Sequence, residues 1–458
     1  MTLKDIVIVS EFFAPNNRIA AVRSTKLAKH FKLAGNYNIT VISKELEHND
    51  VIDTILRKDL KYVDKHITIS YIGYISKLRN LISKLGIKIT SIDELQVEKE
   101  KNGDINIINI TKLFLWRKSL VFISKCLYAL LCGLLLDAIN TKNYIHNSEK
   151  IIKSRINNCD MIFSTYGPFS SHIIGSQLKK RWPKAFWIAD FRDPVVTPVT
   201  PPKHSKYFKL ISKAIQTADI ITGVTDMCIK GFEEKHRGKL YAMCNGFDRD
   251  DLQDIGMAPL AKFTLTYAGL LYKGRSDLSV VFKAISELIN EKYIDKNYIV
   301  INYAGRSEID FMQQVEKYDL AEAVNVHGFI DRRRSLELQI NSSLLLLASW
   351  NFNGYTDVIT GKFLEYLMIN KPIVCAITGN LANSKLKEII TEANNGIVWE
   401  EANDKVDYPV LKGYIVEQYE RFINNKPPRF EPNMEYIEQY NYENIAQQFI
   451  DLIENRCK

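Results

Sequence analysis

Short runs that are apolar throughout, instead of alternating with polar residues, constrain this chain more than any other feature. IVIVS (6–10), ITVIS (39–43), DMIFST (160–165), AFWIAD (185–190), IITGV (220–224) and LYAMCNG (240–246) are spaced by helical stretches such as 21–33. A strand with no polar side has both faces covered, as in a parallel sheet between helices. Strands alternating with helices are the mark of βαβ units. Residues 247–262, FDRDDLQDIGMAPLAK, are acidic and polar with Gly and Pro, and they read as a linker. The pattern then restarts: FTLTYAG (263–269), YIVINYAG (298–305), VNVHGFI (324–330), SLLLLAS (343–349), PIVCAI (372–377) and GIVW (396–399). NYENIAQQFIDLIENR closes the chain as an amphipathic helix. The expected class is α/β, with two Rossmann-like doubly wound parallel-sheet domains at 1–246 and 263–435. A length of 458 residues agrees with two cores.

Residues 44–150 fit this scheme least. They are Lys-rich and weakly patterned, and they read as a basic, apolar insertion. One possibility is irregular packing on the first domain. The other is a surface resting on anionic lipid, with lysines at headgroup level. Within it, LVFISKCLYALLCGLLL (120–136) approaches membrane-spanning length, but Lys125 interrupts it and Asp137 closes it. A span there would leave the strands before and after it on opposite sides of a bilayer, so a buried or interfacial helix is expected.

The net charge of +8 comes from 61 basic and 53 acidic side chains. That excess suits a basic patch facing phosphates or an anionic surface, and it excludes a nucleic-acid coat. Seven cysteines form no CxxC pair and no zinc-ligand spacing. They fit reduced thiols in a cytoplasmic protein. Only IVIV follows Lys4 and Asp5, too short a run for a signal-peptide core.

In facing α/β domains, ligands bind at the carboxyl ends of the strands. After the first strand stand Asn16, Asn17, Arg18, Ile19, Ala20 and Ala21, with no GxGxxG. A nicotinamide oxidoreductase therefore loses its fingerprint. Arg18 and Arg23 either reach into the cleft or sit on the surface. His172, early in a helix, is either structural or functional. DFRDP places Asp190, Arg192 and Asp193 at a strand end, where an Arg–Asp pair locks the loop or a carboxylate recognises a hydroxyl or moves a proton.

The second domain is richer. Gly269 permits close backbone approach, and Lys273 and Arg275 precede a helix N-terminus, an arrangement that suits a diphosphate. Gly305 with Arg306 repeats it more weakly. Gly328 and Phe329 offer a place for a nucleobase. Arg332 to Arg334 are expected in solvent. In DVITGKFLEYLMINKPIV (357–374), Glu365 falls among Phe363, Leu364, Leu367, Met368 and Ile369 on a short helix. A carboxylate near a helix N-terminus can accept two hydrogen bonds from a vicinal diol. Left unpaired it would be costly, so a ligand or an internal Arg or Lys must meet it. Asp357, in the preceding loop, could meet a sugar ring.

Together these residues resemble the GT-B glycosyltransferases, especially the retaining GT4-like group. That group carries an acidic residue, seven intervening residues, then Glu, matched here by Asp357 and Glu365. GKFLEYLMINKPIV is similar to its GK-x-x-E-Y-(x)n-G-K-P segment, with Asn370 at the Gly position. YAGLLYKGRS resembles its phosphate loop, and DFRDP a motif of one bacterial subgroup. The resemblance implies a GT-B architecture with the C-terminal helix, 436–458, packed back toward the N-terminal domain. It implies a nucleotide-sugar donor, with Glu365 on the ribose and Lys273, Arg275 and Lys362 on the diphosphate. Gly269, Gly305, Gly328 and Phe329 would border the nucleotide, and Asp357 would contact the transferred sugar. Arg18, Arg23, His172, Asp190, Arg192 and Asp193 would line the sugar and acceptor side. Fixed cations and helix N–H groups would stabilise the departing diphosphate, so no metal or other cofactor is expected. In a retaining enzyme no protein base is required; in an inverting one Asp193 or His172 is the candidate. The implied acceptor is a glycan or a lipid-linked glycan of bacterial surface polysaccharide, lipopolysaccharide or capsule, built at the cytoplasmic face of the inner membrane. The alternatives are a non-catalytic sugar-nucleotide-binding subunit, or an epimerase or phosphorylase on the same scaffold.

Overall fold

The computed structural model describes residues 4–35, 37–47, 50–70, 141–195, 206–232, 236, 238–352, 356 and 358–457. Most of the insertion, including 120–136, lies outside the described residues, as does Asp357.

The first lobe is built on a seven-stranded sheet. Its strands are β1 (Asp5–Val9), β2 (Asn38–Lys44), β3 (Lys65–Ile69), β4 (Met161–Tyr166), β5 (Phe186–Phe191), β6 (Ile220–Gly223) and β7 (Leu240–Ala242). They lie in the order β3-β2-β1-β4-β5-β6-β7. The second lobe holds β8 (Phe263–Ala268), β9 (Ile299–Ala304), β10 (Val324–Val326), β11 (Leu344–Trp350), β12 (Ile373–Thr378) and β13 (Gly396–Glu400), in the order β10-β9-β8-β11-β12-β13. Every pair of neighbouring strands in both sheets is parallel. The strand order reverses between β1 and β4, and again between β8 and β11. Each reversal opens a crevice at the carboxyl ends, where such sheets bind ligands.

The apolar runs have a direct cause. In β1, Ile6 and Ile8 enter one core cluster while Val7 and Val9 enter another on the opposite face. In β11, Leu344 and Leu346 face one cluster and Leu345 and Leu347 the other. Successive side chains point to opposite faces, so both sets must be apolar. Strand β3 escaped the sequence reading for the complementary reason. It is an edge strand in which only Ile67 and Ile69 are buried, so its signal is short and alternating.

The last helix, Tyr442–Cys457, packs on the first, Ile19–Gly35, in the N-terminal lobe. Phe449 sits edge-on to Phe31 and Phe163, at 6.1 and 5.6 Å between ring centres. The chain therefore crosses between lobes twice, and the crossings are bonded. Phe247 N–H donates to the Tyr440 carbonyl and Tyr442 N–H to that of Phe247, both at 2.8 Å. The stretch read as a linker is in part buried: Asp248 and Asp251 are 3% and 4% exposed. Among the described residues, no helix is long and apolar enough to cross a membrane.

Candidate active site between the two lobes

The carboxyl ends of β8, β9 and β10 carry Gly269, Gly305 and Gly328 side by side. Gly269 N–H donates to the Ala304 carbonyl at 2.7 Å, and Gly305 N–H to that of Gly328 at 2.9 Å. A side chain at Gly305 would collide with the Gly269 carbonyl. Gly269 itself has a φ of 132°, a conformation closed to other residues. The result is a rim of bare backbone.

The helix Gly361–Ile369 points its N-terminus at this rim. Thr360 caps it, accepting from Phe363 N–H at 3.4 Å. Asn370 ends it in the left-handed region at φ 59°, which explains why Asn can stand for Gly there. The Lys362 ammonium donates to the Leu270 carbonyl at 2.9 Å and to the Tyr267 hydroxyl. Burial lowers its pKa to about 7, with Glu365 opposing. Lys273 and Arg275 are exposed on the loop after Gly269. The Arg275 guanidinium lies 5.8 Å from the Trp350 ring centre. Phe329 is 54% exposed, and the Arg306 guanidinium covers one face of its ring at 4.0 Å.

Glu365 lies one turn beyond Lys362 and lines a cavity of about 130 Å³ between the lobes. Arg23, Lys26, Arg192, Asp193, Asp251 and Arg332 also line it. The Glu365 side chain is 25% exposed and has an internal cation: Arg332 Nε donates to its Oε1 at 3.0 Å. The same guanidinium donates through Nη2 to Asp251 Oδ2 at 2.9 Å. Burial alone would lower the Arg332 pKa, but Asp251 and Glu365 outweigh it and raise it. The expectation that Arg332 faces solvent is thus corrected; its side chain is 19% exposed, against 42% and 57% for Arg333 and Arg334.

Four N-terminal candidates are held by internal partners, two of them, Arg23 and Arg192, while also lining the cavity. Arg23 and Asp190 form a fully buried fork, with Nε to Oδ2 at 2.9 Å and Nη2 to Oδ1 at 2.8 Å. Thr165 and Thr222 donate to the same carboxylate at 3.2 and 2.7 Å, so its oxygens are taken. His172 is buried against Phe191 and bonded to Ser164 at 2.8 Å through Nδ1. Burial lowers its pKa to about 3, with Asp190 opposing. Arg192 is spent on the Tyr166 and Gly167 carbonyls, at 3.0 and 2.9 Å. By contrast Asp193 is 63% exposed beside the cavity, and Arg18 is exposed over the Phe12 ring at 4.6 Å.

A second charged group crosses the hinge. Lys26 pairs with Asp59 at 2.7 Å, with Asp248 at 3.0 Å and with Asp251. These three carboxylates are spaced like metal ligands, but the lysine ammonium lies among them. Lys29 pairs with Asp248 and Asp250, both at 2.6 Å.

Two parallel-sheet lobes with a glycine rim on the second, and a last helix returned to the first, can be compared with known folds. No family model and no curated protein matches the sequence. Solved structures do match in fold, over nearly the whole chain. Sucrose-phosphate synthase from Thermosynechococcus elongatus aligns with a TM-score of 0.56 at 12% identity, covering 99% of this chain and 98% of that one. Anabaena HepE, in complex with UDP and glucose, aligns at 0.53 and 10%, covering 99% of both chains. The lipopolysaccharide outer core galactosyltransferase WaaB, in its apo form, gives the same TM-score, identity and coverage. The fold is GT-B. Identities this low establish the architecture and leave the chemistry to the residues.

Within that GT-B frame, Arg332 and Lys26 line the cavity but were not among the candidates named from the sequence. A signal for Arg332 was present. Leu336 and Ile340, four and eight residues on, are buried on the same helix face. Three consecutive arginines concealed that only the first belongs to that face.

Proposed function

We propose that this chain is a glycosyltransferase that takes a sugar from a nucleotide-sugar bound on the C-terminal lobe. The acceptor is a glycan or lipid-linked glycan held by the N-terminal lobe. One observation carries the reading: Lys362 packs against the glycine row at strand ends of the kind that bind nucleotides, and Glu365, one turn along the same helix, lines the cavity between the lobes. The matching HepE structure holds UDP and glucose, which supports a donor of that class.

The bare backbone at Gly269 and Gly305 admits a diphosphate, with the N-terminus of Gly361–Ile369, Lys362, Lys273 and Arg275 supplying positive charge. Arg332 takes only Oε1 of Glu365. Among the described residues no hydrogen-bond donor reaches Oε2, which is left for a ribose hydroxyl. The cavity of about 130 Å³ is too small for a whole nucleotide-sugar. Pockets for larger ligands start near 300 Å³, so the base and diphosphate would lie along the open rim toward Gly328 and Phe329.

In transfer, the bond from the anomeric carbon to the diphosphate oxygen breaks as the acceptor oxygen bonds to that carbon. Charge grows on the leaving diphosphate, and the rim's cations and N–H groups are already in place to meet it. No metal is needed for this step. In the retaining course a diphosphate oxygen takes the acceptor proton; in the inverting course exposed Asp193 would take it. Asp357 is proposed as the contact to the transferred sugar. Bacterial surface polysaccharide at the cytoplasmic face of the membrane is the proposed setting, with part of the 44–150 stretch in peripheral contact. Co-sedimentation with anionic liposomes that weakens in salt would support that contact.

The test is incubation of the purified chain with nucleotide-sugars and a lipid-linked glycan acceptor. Release of nucleoside diphosphate only when acceptor is present supports transfer. The loop after the first strand, which carries Asn16 to Ala21 with no glycine, favours one second reading, a non-catalytic nucleotide-binding subunit. Nucleotide binding without turnover on any acceptor would support that reading.

A further inference from the structure

Arg332 does more than neutralise a carboxylate. Its guanidinium is held at both ends, by Glu365 Oε1 through Nε and by Asp251 Oδ2 through Nη2, with Nη1 3.6 Å from Asp53 Oδ2. Asp251 is fixed in turn, because it also receives the buried Lys26 ammonium. Asp53 is fixed as the cap of the helix Thr54–Lys58, accepting from Ile55 and Leu56 N–H at 2.8 and 3.0 Å. A rigid fork anchored on the hinge side therefore sets the orientation of the Glu365 carboxylate. A lysine at 332 has a single point of charge and would not span both acids with the same geometry.

We propose that Arg332 is a positioning residue: it turns Glu365 so that Oε2 faces the ribose, and it ties the nucleotide site to the hinge acid Asp251. This rests on the reading of Glu365 as the ribose-binding carboxylate. Arg332 touches no reacting atom in this scheme. Its effect passes entirely through Glu365.

The test measures UDP and 2′-deoxy-UDP binding by calorimetry, with GDP and 2′-deoxy-GDP as a second pair, for wild type, Arg332→Gln, Glu365→Gln and the double variant. Wild type should prefer UDP or GDP over its deoxy form by about tenfold, the worth of one charge-assisted hydrogen bond. Arg332→Gln should lose most of that preference. Once Glu365 is Gln, changing Arg332 should alter affinity no further, because its route is already cut. Arg332→Lys should fall between wild type and Gln, and it serves as the probe if the Gln variant does not fold. A merely structural role predicts a lower melting temperature with unchanged preference, or effects of the two substitutions that add; either result overturns the proposal. Failure of wild type to bind UDP and GDP at all would overturn the functional reading, and this inference with it.

Discussion

Lys362 rests against Gly269 so closely that a Cβ on the glycine would lie 2.8 Å from Lys362 Cδ and 3.0 Å from its Nζ. The backbone there also needs a φ of 132°. Gly269→Ala should therefore push the lysine off the rim and strain the loop. The expected costs are about 1–3 kcal/mol of stability and about tenfold or more in nucleotide affinity. Urea melts and UDP calorimetry on the same preparation check both.

Lys362 should also report on protons. Its folded pKa of about 7 lies below its ordinary 10.5. Between those values the unfolded chain holds more protons than the folded one. This group's contribution to stability therefore rises with pH across that window and is constant below it. A bound diphosphate favours the charged ammonium, so binding above pH 7 should take up a proton. UDP affinity should fall as pH rises from 7 to 9. Calorimetry in two buffers of different ionisation enthalpy measures the uptake at pH 8, and Lys362→Met should abolish it. Proton-neutral binding by wild type would contradict this.

The Arg23–Asp190 fork should behave as scaffold. Removing one partner leaves a buried charge alone, so Asp190→Asn or Arg23→Met should cost about 3–5 kcal/mol. Asp193→Asn, on an exposed side chain, should change stability by less than about 0.5 kcal/mol. Denaturant titrations separate the two classes. Equal, small effects would show that the buried fork is not holding the lobe together.

Much of the fold could be read from the chain because strands buried on both faces leave uniformly apolar runs, as Ile6 to Val9 and Leu344 to Leu347 do. The glycine rim was legible for a related reason: close backbone approach demands Gly at 269 and 305. Charge pairing was not legible. Arg23 and Asp190 are 167 residues apart, and nothing local in either says that the other saturates it. Asp248 and Asp251 sit in a stretch with linker composition, yet Lys26 draws both into the interior. Glu365 posed a choice between a ligand and an internal cation. The structure supplies the cation, Arg332, and leaves one oxygen unclaimed.

Hydrogen exchange on UDP binding tests the central claim most directly. The account predicts slowed exchange at 269–276 and 361–365 in wild type, lost or much reduced in Glu365→Gln at the same UDP concentration. Protection confined to other segments, or protection unchanged by the substitution, would contradict a nucleotide held by Glu365 in this cleft.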